Sequence, residues 1–236
     1  MLRLTRADLK YLYKIKVVVV DSKEPAGTIQ TKALPPIEYI PTFSAKRSVD
    51  LIATAFALPL IVIVAAVLFI LNPFLNPGPL FFRQCRMGQA GKRFKVLKFR
   101  TMADHETGTE VRKANDPVEH HRITCLGRVL RRTRLDELPN FWNVAKGEMS
   151  LIGPRPDTWE HAEEYWHTVP YYPNRFRALP GITGLAQIRG GYADNPRAIQ
   201  RKARFDHHYV DNWSLRLELY VVWRTIVVIC SGFGAK

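Results

Sequence analysis

The sequence predicts an α+β fold that is membrane-associated and mainly helical, with a few short strands. Three features predict it. Residues 49–71 are an almost unbroken apolar run. Short extended pieces flank a turn between Gly88 and Gly91. Helical periodicity fills 124–144 and 213–230. The length of 236 residues suits one domain with appendages. Composition divides the chain into an N-terminal extension over 1–45, a membrane helix over 46–76 and a main domain over 77–236.

In the extension, Lys14 to Asp21 reads as a short strand. It leads into a tether containing Pro25, Pro35, Pro36 and Pro41. No apolar stretch stands beside the N-terminus, so a cleaved secretory signal is not expected.

The apolar run reaches the roughly 20 residues that a bilayer helix needs. Lys46 and Arg47 precede it, and Arg83, Arg86, Lys92, Arg93, Lys95, Lys98 and Arg100 come after it. Basic flanks mark the cytoplasmic side, and here both flanks are basic. Pro59 removes one helical hydrogen bond near the middle. A broken helix that enters and leaves on one face satisfies both facts, and a kinked single span is the competing topology.

Asn72-Pro73 and Asn76-Pro77-Gly78-Pro79 close that segment. Leu80 to Phe82 and Phe94 to Phe99 read as extended, and 103–121 as a polar loop. Helices are expected over Thr124 to Arg134 and Leu135 to Val144, with Pro139 starting or kinking the second. Asp157 is the expected cap of a helix reaching about Trp166, with Glu160 as its box partner. Pro170, Pro173 and Pro180 interrupt the chain beyond that helix, and Gly181, Gly184, Gly190 and Gly191 mark a tight loop. From Trp213 to Cys230, Leu215, Leu219, Val222, Ile226 and Ile229 share one face. That helix suits either a membrane interface or a packed core.

The net charge of +14 favours an anionic partner: nucleic acid, an acidic membrane surface or phosphorylated small molecules. Cys85, Cys125 and Cys230 are scattered, which fits reducing cytosol better than a disulfide framework. The histidines lack metal-ligand spacing. Neither a P-loop nor a GxGxxG motif is present. No helix-turn-helix, RNA-recognition or zinc-finger pattern supports a nucleic-acid partner.

The residues that can do chemistry concentrate after residue 98. Asp136 and Glu137 are adjacent carboxylates. One can attack phosphorus, and both can ligate Mg²⁺, which prefers oxygen donors. Arg128, Arg131, Arg132 and Arg134 can bind phosphate or form a solvated basic face. Lys98 and Arg100 alternate with Phe99, so an extended strand would point both the same way. In Gly153-Pro154-Arg155-Pro156, two prolines restrict the backbone around one arginine and lower its ordering cost. The segment Pro180 to Gln187 can cradle a ligand or turn the chain.

As a set, these segments resemble the bacterial sugar transferase family, the monotopic phosphoglycosyl transferases. The matching pieces are Lys46 to Asp50, Lys95 to Met102, Gly127 to Arg131, Leu135 to Pro139, Asn143 to Ser150, Gly153 to Pro156, Pro180 to Gly184 and Asp206 to Ser214. The resemblance covers about 46–230. It implies a re-entrant membrane helix broken at Pro59, interfacial amphipathic helices, and a catalytic domain over 77–236 at the cytoplasmic face of the bacterial inner membrane.

The implied reaction takes a sugar-1-phosphate from a UDP-sugar to polyprenol (undecaprenyl) phosphate and releases UMP. This is the first membrane step of exopolysaccharide or glycoconjugate synthesis. Asp136 is implied as the nucleophile, with Asp136 and Glu137 holding Mg²⁺. Lys98, Arg100, Arg131, Pro154, Arg155, Pro156, Gln187 and Arg189 are the substrate-binding candidates. The chain departs from the family pattern at Leu179 and Gly191, where many members have arginine. Arg189 is the candidate substitute for the second. A homodimer through the membrane helices is a further expectation. The alternative function is a catalytically inactive membrane adaptor of the same fold.

Overall fold

The computed structural model describes residues 37, 39–40, 44–103, 120–191 and 195–231. The expected strand at 14–21 and nearly all of the expected 103–121 loop lie outside them.

The apolar run folds as helix α1, Ser44–Leu75, with 32 residues. At 1.5 Å per residue its path is about 48 Å, longer than the roughly 30 Å hydrocarbon core of a bilayer. The helix continues through Pro59, where the sequence predicted a break. Proline removes one donor and crowds the carbonyl four residues back, here that of Ala55. That weakens one turn, and the hydrogen-bond ladder resumes on either side. Phe56 is 82% exposed and Phe74 is 80% exposed, so α1 presents uncovered apolar rings, which with its length suggests membrane association.

Both ends of α1 are fastened. Near its start, Arg47 donates to the carbonyls of Val144 (2.6 Å) and Ala145 (2.8 Å). Buried Asp50 accepts from Ser150 Oγ (3.1 Å) and Leu151 N (3.0 Å) through one oxygen. Near its finish, Leu68 packs in a cluster with Phe99 and Leu130. Asn72 Nδ2 donates to Gly78 O (2.7 Å), and Asn76 Nδ2 to Arg100 O (3.0 Å).

Strands β1, Phe81–Met87, and β2, Arg93–Phe99, form an antiparallel hairpin that pairs Phe81 with Phe99 and Met87 with Arg93. The helix expected from Thr124 is α2, Cys125–Thr133, with Thr124 as its cap. The helix expected over Leu135 to Val144 is a 3₁₀ turn, Leu135–Glu137, followed by α3, Asn140–Lys146, which Pro139 precedes. Strand β3, Ser150–Ile152, pairs parallel with β4, Gly181–Thr183.

Between them lie α4, Trp159–Thr168, and a 3₁₀ stretch, Tyr172–Arg177. Thr158, not Asp157, caps α4, accepting from His161 N. The Asp157 carboxylate is engaged by cations instead. Three helices complete the domain: α5, Leu185–Gly190, α6, Pro196–Asp211, and α7, Leu215–Ser231. Ile152, Leu185, Ile188, Tyr209, Val210 and Val221 form a core where β3, α5, α6 and α7 meet.

The apolar face expected on the last helix is exposed. Leu215 (66%), Leu219 (61%), Val222 (42%) and Ile226 (51%) stay uncovered, with Trp223 beside them. Of the two roles open to this helix, that pattern favours the interface. A single carboxylate oxygen joins α7 to α1. Glu218 Oε1 accepts from Lys46 Nζ, Tyr209 OH (2.7 Å) and Trp213 Nε1 (2.9 Å).

Candidate active site

Asp136 and Glu137 occupy the 3₁₀ turn between α2 and α3. Arg134 ends α2 in the left-handed region, at φ 60°. A non-glycine residue there costs about 1 to 3 kcal/mol. The reversal sends the two carboxylates back across the hairpin. Gly127 sets how closely α2 approaches it, since a Cβ there would sit 1.9 Å from Thr101 O. One turn later, Arg131 Nε reaches Thr101 Oγ1 (3.0 Å).

The two carboxylates differ in surroundings. Glu137 is held by cations: Lys98 Nζ donates to Oε1 (3.1 Å), and Arg155 donates to Oε2 through NH1 (3.0 Å) and to Oε1 through NH2. Burial opposes ionisation of Glu137, but Arg155 and Lys98 outweigh it and hold its pKa well below the usual carboxylate value. Asp136 is buried, and its Oδ1 has no hydrogen-bond partner. Burial, then the charge on Glu137, raises its pKa, while Lys98, Arg155 and Arg131 pull against that rise. Burial likewise lowers the Lys98 pKa.

Arg155 reaches Glu137 because its turn is fixed on both sides. The β3–β4 pair continues past its ends, with Gly181 N donating to Pro154 O (3.0 Å). Arg86 NH1 donates to Pro156 O (2.9 Å). Beneath the turn, buried Arg175 donates to Arg155 O and to Asp157 Oδ2, and pairs with Asp206 (3.1 Å). Tyr172 OH (2.7 Å) and Lys202 Nζ also donate to Asp157. Burial opposes the charge on Asp157, but Lys202 and Arg175 drive its pKa far below the usual range.

Sequence reasoning missed Arg86, Arg175, Lys202 and the part played by Asp157. These residues lie between positions 86 and 202, and no local pattern connects them.

The remaining candidates separate. Gln187 belongs with the site: its Nε2 donates to Ile182 O (3.1 Å), the carbonyl that Arg155 NH1 also approaches at 3.5 Å. Arg100 does not join Lys98. It leaves the strand after Phe99, and its buried guanidinium donates to the carbonyls of Pro79 (2.8 Å), Asn76 and Pro77. It therefore closes the end of α1. Arg189 is exposed and lies over the Tyr220 ring at 5.2 Å.

As donors for a divalent ion, the residues fit unevenly. Asp136 offers a buried oxygen without a partner. Both Glu137 oxygens are engaged by cations. No cluster of three or more His, Cys, Asp or Glu side chains forms among the described residues. One or two protein carboxylates completed by substrate phosphates is a common Mg²⁺ arrangement, and this pair fits it.

A family profile described as "Bacterial sugar transferase" matches residues 41–232. Among curated proteins, the chain is 38% identical over 191 residues to the UDP-N-acetylgalactosamine-undecaprenyl-phosphate N-acetylgalactosaminephosphotransferase of Aeromonas hydrophila, covering 81% of this chain and 45% of that protein. It is 36% identical over 221 residues to the UDP-glucose:undecaprenyl-phosphate glucose-1-phosphate transferase of Caulobacter vibrioides, covering 91% of this chain and 80% of that protein. Its identity to the Escherichia coli protein of the same name is 40% over 195 residues, covering 81% of this chain and 40% of that protein. The chain thus spans less than half of the Aeromonas and Escherichia relatives.

Proposed function

The chain belongs to the bacterial sugar transferase family, and on that premise we propose that it transfers a sugar-1-phosphate from a UDP-sugar to undecaprenyl phosphate in exopolysaccharide or glycoconjugate synthesis. The observation that carries this reading is the unequal carboxylate pair. Asp136 is buried with a free oxygen, and Glu137 is tied to Lys98 and Arg155.

Asp136 is the nucleophile. Its carboxylate oxygen attacks the phosphorus next to the sugar. The bond from that phosphorus to the bridging oxygen breaks, and the oxygen leaves with UMP. The sugar phosphate is then carried on Asp136. An oxygen of the lipid phosphate attacks the same phosphorus, the bond to Asp136 breaks, and the carboxylate is restored. Near neutral pH two dianions enter and two leave, so no net proton is required. Burial serves this chemistry, because a carboxylate with a raised pKa is a stronger nucleophile.

Lys98 and Arg155 neutralise the incoming diphosphate. Asp136 and Glu137 would be the oxygen donors that hold Mg²⁺. The ion when bound would neutralise charge on the diphosphate and the leaving UMP. Arg131, one turn before Asp136, adds positive charge on the same side.

The attachment of α1 supports a helix that enters and returns on one membrane face. A single span would place one end beyond about 30 Å of hydrocarbon, out of reach of the domain. Instead Asp50 and Asn76, on opposite sides of Pro59, both bond to it. With the basic flanks, this favours a catalytic domain lying at the cytoplasmic face of the inner membrane.

The test is UMP release from a panel of UDP-sugars with polyprenol phosphate and Mg²⁺, run with Asp136→Asn alongside. Turnover lost in the variant, with a phosphosugar adduct mapped to Asp136 by mass spectrometry, supports the reading. Lipid-linked product formed at an undiminished rate by Asp136→Asn would overturn it.

A further inference from the structure

Two asparagines three residues apart on α3 fare differently. Asn143 is fully engaged with the hairpin and its own turn: Oδ1 accepts from Leu97 N (3.1 Å), and Nδ2 donates to Lys95 O (2.8 Å) and Glu148 Oε2 (2.7 Å). Asn140 is 3% exposed, yet its Oδ1 is buried without a hydrogen-bond partner. Nor does Asn140 cap the helix, since Pro139 holds that position and no side chain bonds there. An apolar residue of the same size would spare the fold an unpaired buried oxygen, so this amide is explained by something it binds.

The position of Asn140 is set from both sides. Glu137 N bonds Arg134 O (3.2 Å), Leu138 N bonds Leu135 O (3.2 Å), Phe141 N bonds Leu138 O (3.1 Å) and Trp142 N bonds Pro139 O (3.0 Å). The catalytic turn and α3 are thus one continuous run of helical turns. About one turn before Asn140, Glu137 bonds Lys98 on β2. About one turn after it, Asn143 bonds the backbone of Lys95 and Leu97 on the same strand. Asn140 therefore stands over β2, next to the Lys98–Glu137 pair. Asp136 precedes it by four residues, a helical spacing that sets Cβ atoms about 5 to 6 Å apart. Between residues 134 and 147, Asp136 Oδ1 and Asn140 Oδ1 are the two side-chain polar atoms buried without a partner.

Two neighbouring acceptors that lack a donor are satisfied together by a cation. The side-chain cations at this place, Lys98 and Arg155, are bonded to Glu137. Both free oxygens are hard donors. Mg²⁺ and Mn²⁺ favour such oxygens, and Mg²⁺ takes few protein ligands, completing its shell with water and phosphate. An amide oxygen also eases the uneven fit of the acidic pair, in which both Glu137 oxygens already meet cations.

We propose that Asn140 Oδ1 is an oxygen donor, with Asp136, for the divalent cation of the transfer site. The proposal rests on the transferase reading and adds to it a neutral ligand outside the Asp136–Glu137 pair.

The experiment reads metal binding rather than turnover. Full-length protein in zwitterionic nanodiscs is titrated with Mn²⁺, followed by the electron paramagnetic resonance signal of the free ion, with UDP absent and then present. Wild type is compared with Asn140→Leu, which keeps the size and removes the oxygen, and with Asn140→Asp, which keeps the oxygen and adds charge. Each is melted with and without Mn²⁺. The expected result is Mn²⁺ binding at least fivefold weaker in Asn140→Leu and at least fivefold tighter in Asn140→Asp. Without metal, Asn140→Asp should melt below wild type, and saturating Mn²⁺ should restore the difference. Equal Mn²⁺ affinity in wild type and Asn140→Leu overturns the proposal, as does weaker binding by folded Asn140→Asp, or no Mn²⁺ binding by wild type in either condition. Mn²⁺ binding that follows residue 140 in a protein releasing no UMP from any UDP-sugar supports the ligand and counts against the transferase reading alone.

Discussion

Arg155 meets Glu137 with two donors, NH1 lying 3.0 Å from Oε2 and NH2 bonding Oε1. Paired contacts of this kind fix direction as well as charge, and lysine cannot reproduce them. Arg155→Lys is expected to keep the fold but lower kcat/KM about tenfold or more. Arg155→Ala is expected to lower it about a hundredfold and to destabilise by roughly 3 kcal/mol, since it leaves Glu137 with Lys98 alone. Steady-state kinetics and thermal melts on both variants check this, and equal effects of the two would show that the paired geometry is irrelevant.

Asp136 makes the opposite prediction for stability. Its pKa is raised in the folded protein, so the charged form costs folding energy at neutral pH. The cost is complete above the raised folded pKa. It disappears as pH falls below the unfolded value of about 4. Asp136→Asn is therefore expected to be inactive and yet to melt at or above the wild-type temperature at pH 7. The advantage should shrink at lower pH as Asp136 itself becomes protonated. A variant less stable than wild type at pH 7 would contradict the burial argument.

Asp157 behaves with the other sign. Its folded pKa is far below the unfolded one, so the stability it contributes is present above about pH 4 and is lost as pH falls toward the folded value. Asp157→Asn leaves Arg175 and Lys202 buried with less compensation and is expected to cost about 3 to 5 kcal/mol. Because Arg175 holds the Arg155 carbonyl, the folded variant should also lose donor affinity. Denaturant unfolding and the KM for UDP-sugar measure the two effects separately.

Legibility in the sequence tracks the range of the interactions. The apolar run of α1, the hairpin about Gly88 and Gly91, and the apolar face of α7 depend on neighbouring residues and were legible, but not whether that face points outward or into the core. So was the Asp136–Glu137 pair beside the Pro154-Arg155-Pro156 turn. The cations beneath that turn were not. Arg86, Arg175 and Lys202 come from three separate elements, and only tertiary packing brings them under Arg155. Asp157 looked like a cap because capping is a local rule, but buried cations compete more strongly for a carboxylate than one backbone N–H does. Arg100 was misplaced for a similar reason. Alternation assumed that the strand continued, whereas β2 ends at Phe99 and the next side chain turns to α1.

That displacement of Arg100 yields a test of what anchors the membrane helix. Its guanidinium collects carbonyls of Asn76, Pro77 and Pro79, where α1 has finished and its last carbonyls lack helical partners. A cation at a helix C-terminus is also favoured by the helix dipole. Gly78 permits the close approach: its φ is +121°, and a Cβ there would lie 2.7 Å from Arg100 NH2. Arg100→Ala and Gly78→Ala should therefore resemble each other. Each is expected to cost about 2 to 3 kcal/mol, the scale of hydrogen bonds to a buried charged group, and to speed amide exchange around residues 76–80. Lys98→Ala, two residues from Arg100, should instead raise the KM for UDP-sugar, because Lys98 contacts Glu137. A donor KM that rises equally for Arg100→Ala and Lys98→Ala, with exchange at 76–80 unaltered, would return Arg100 to the phosphate site.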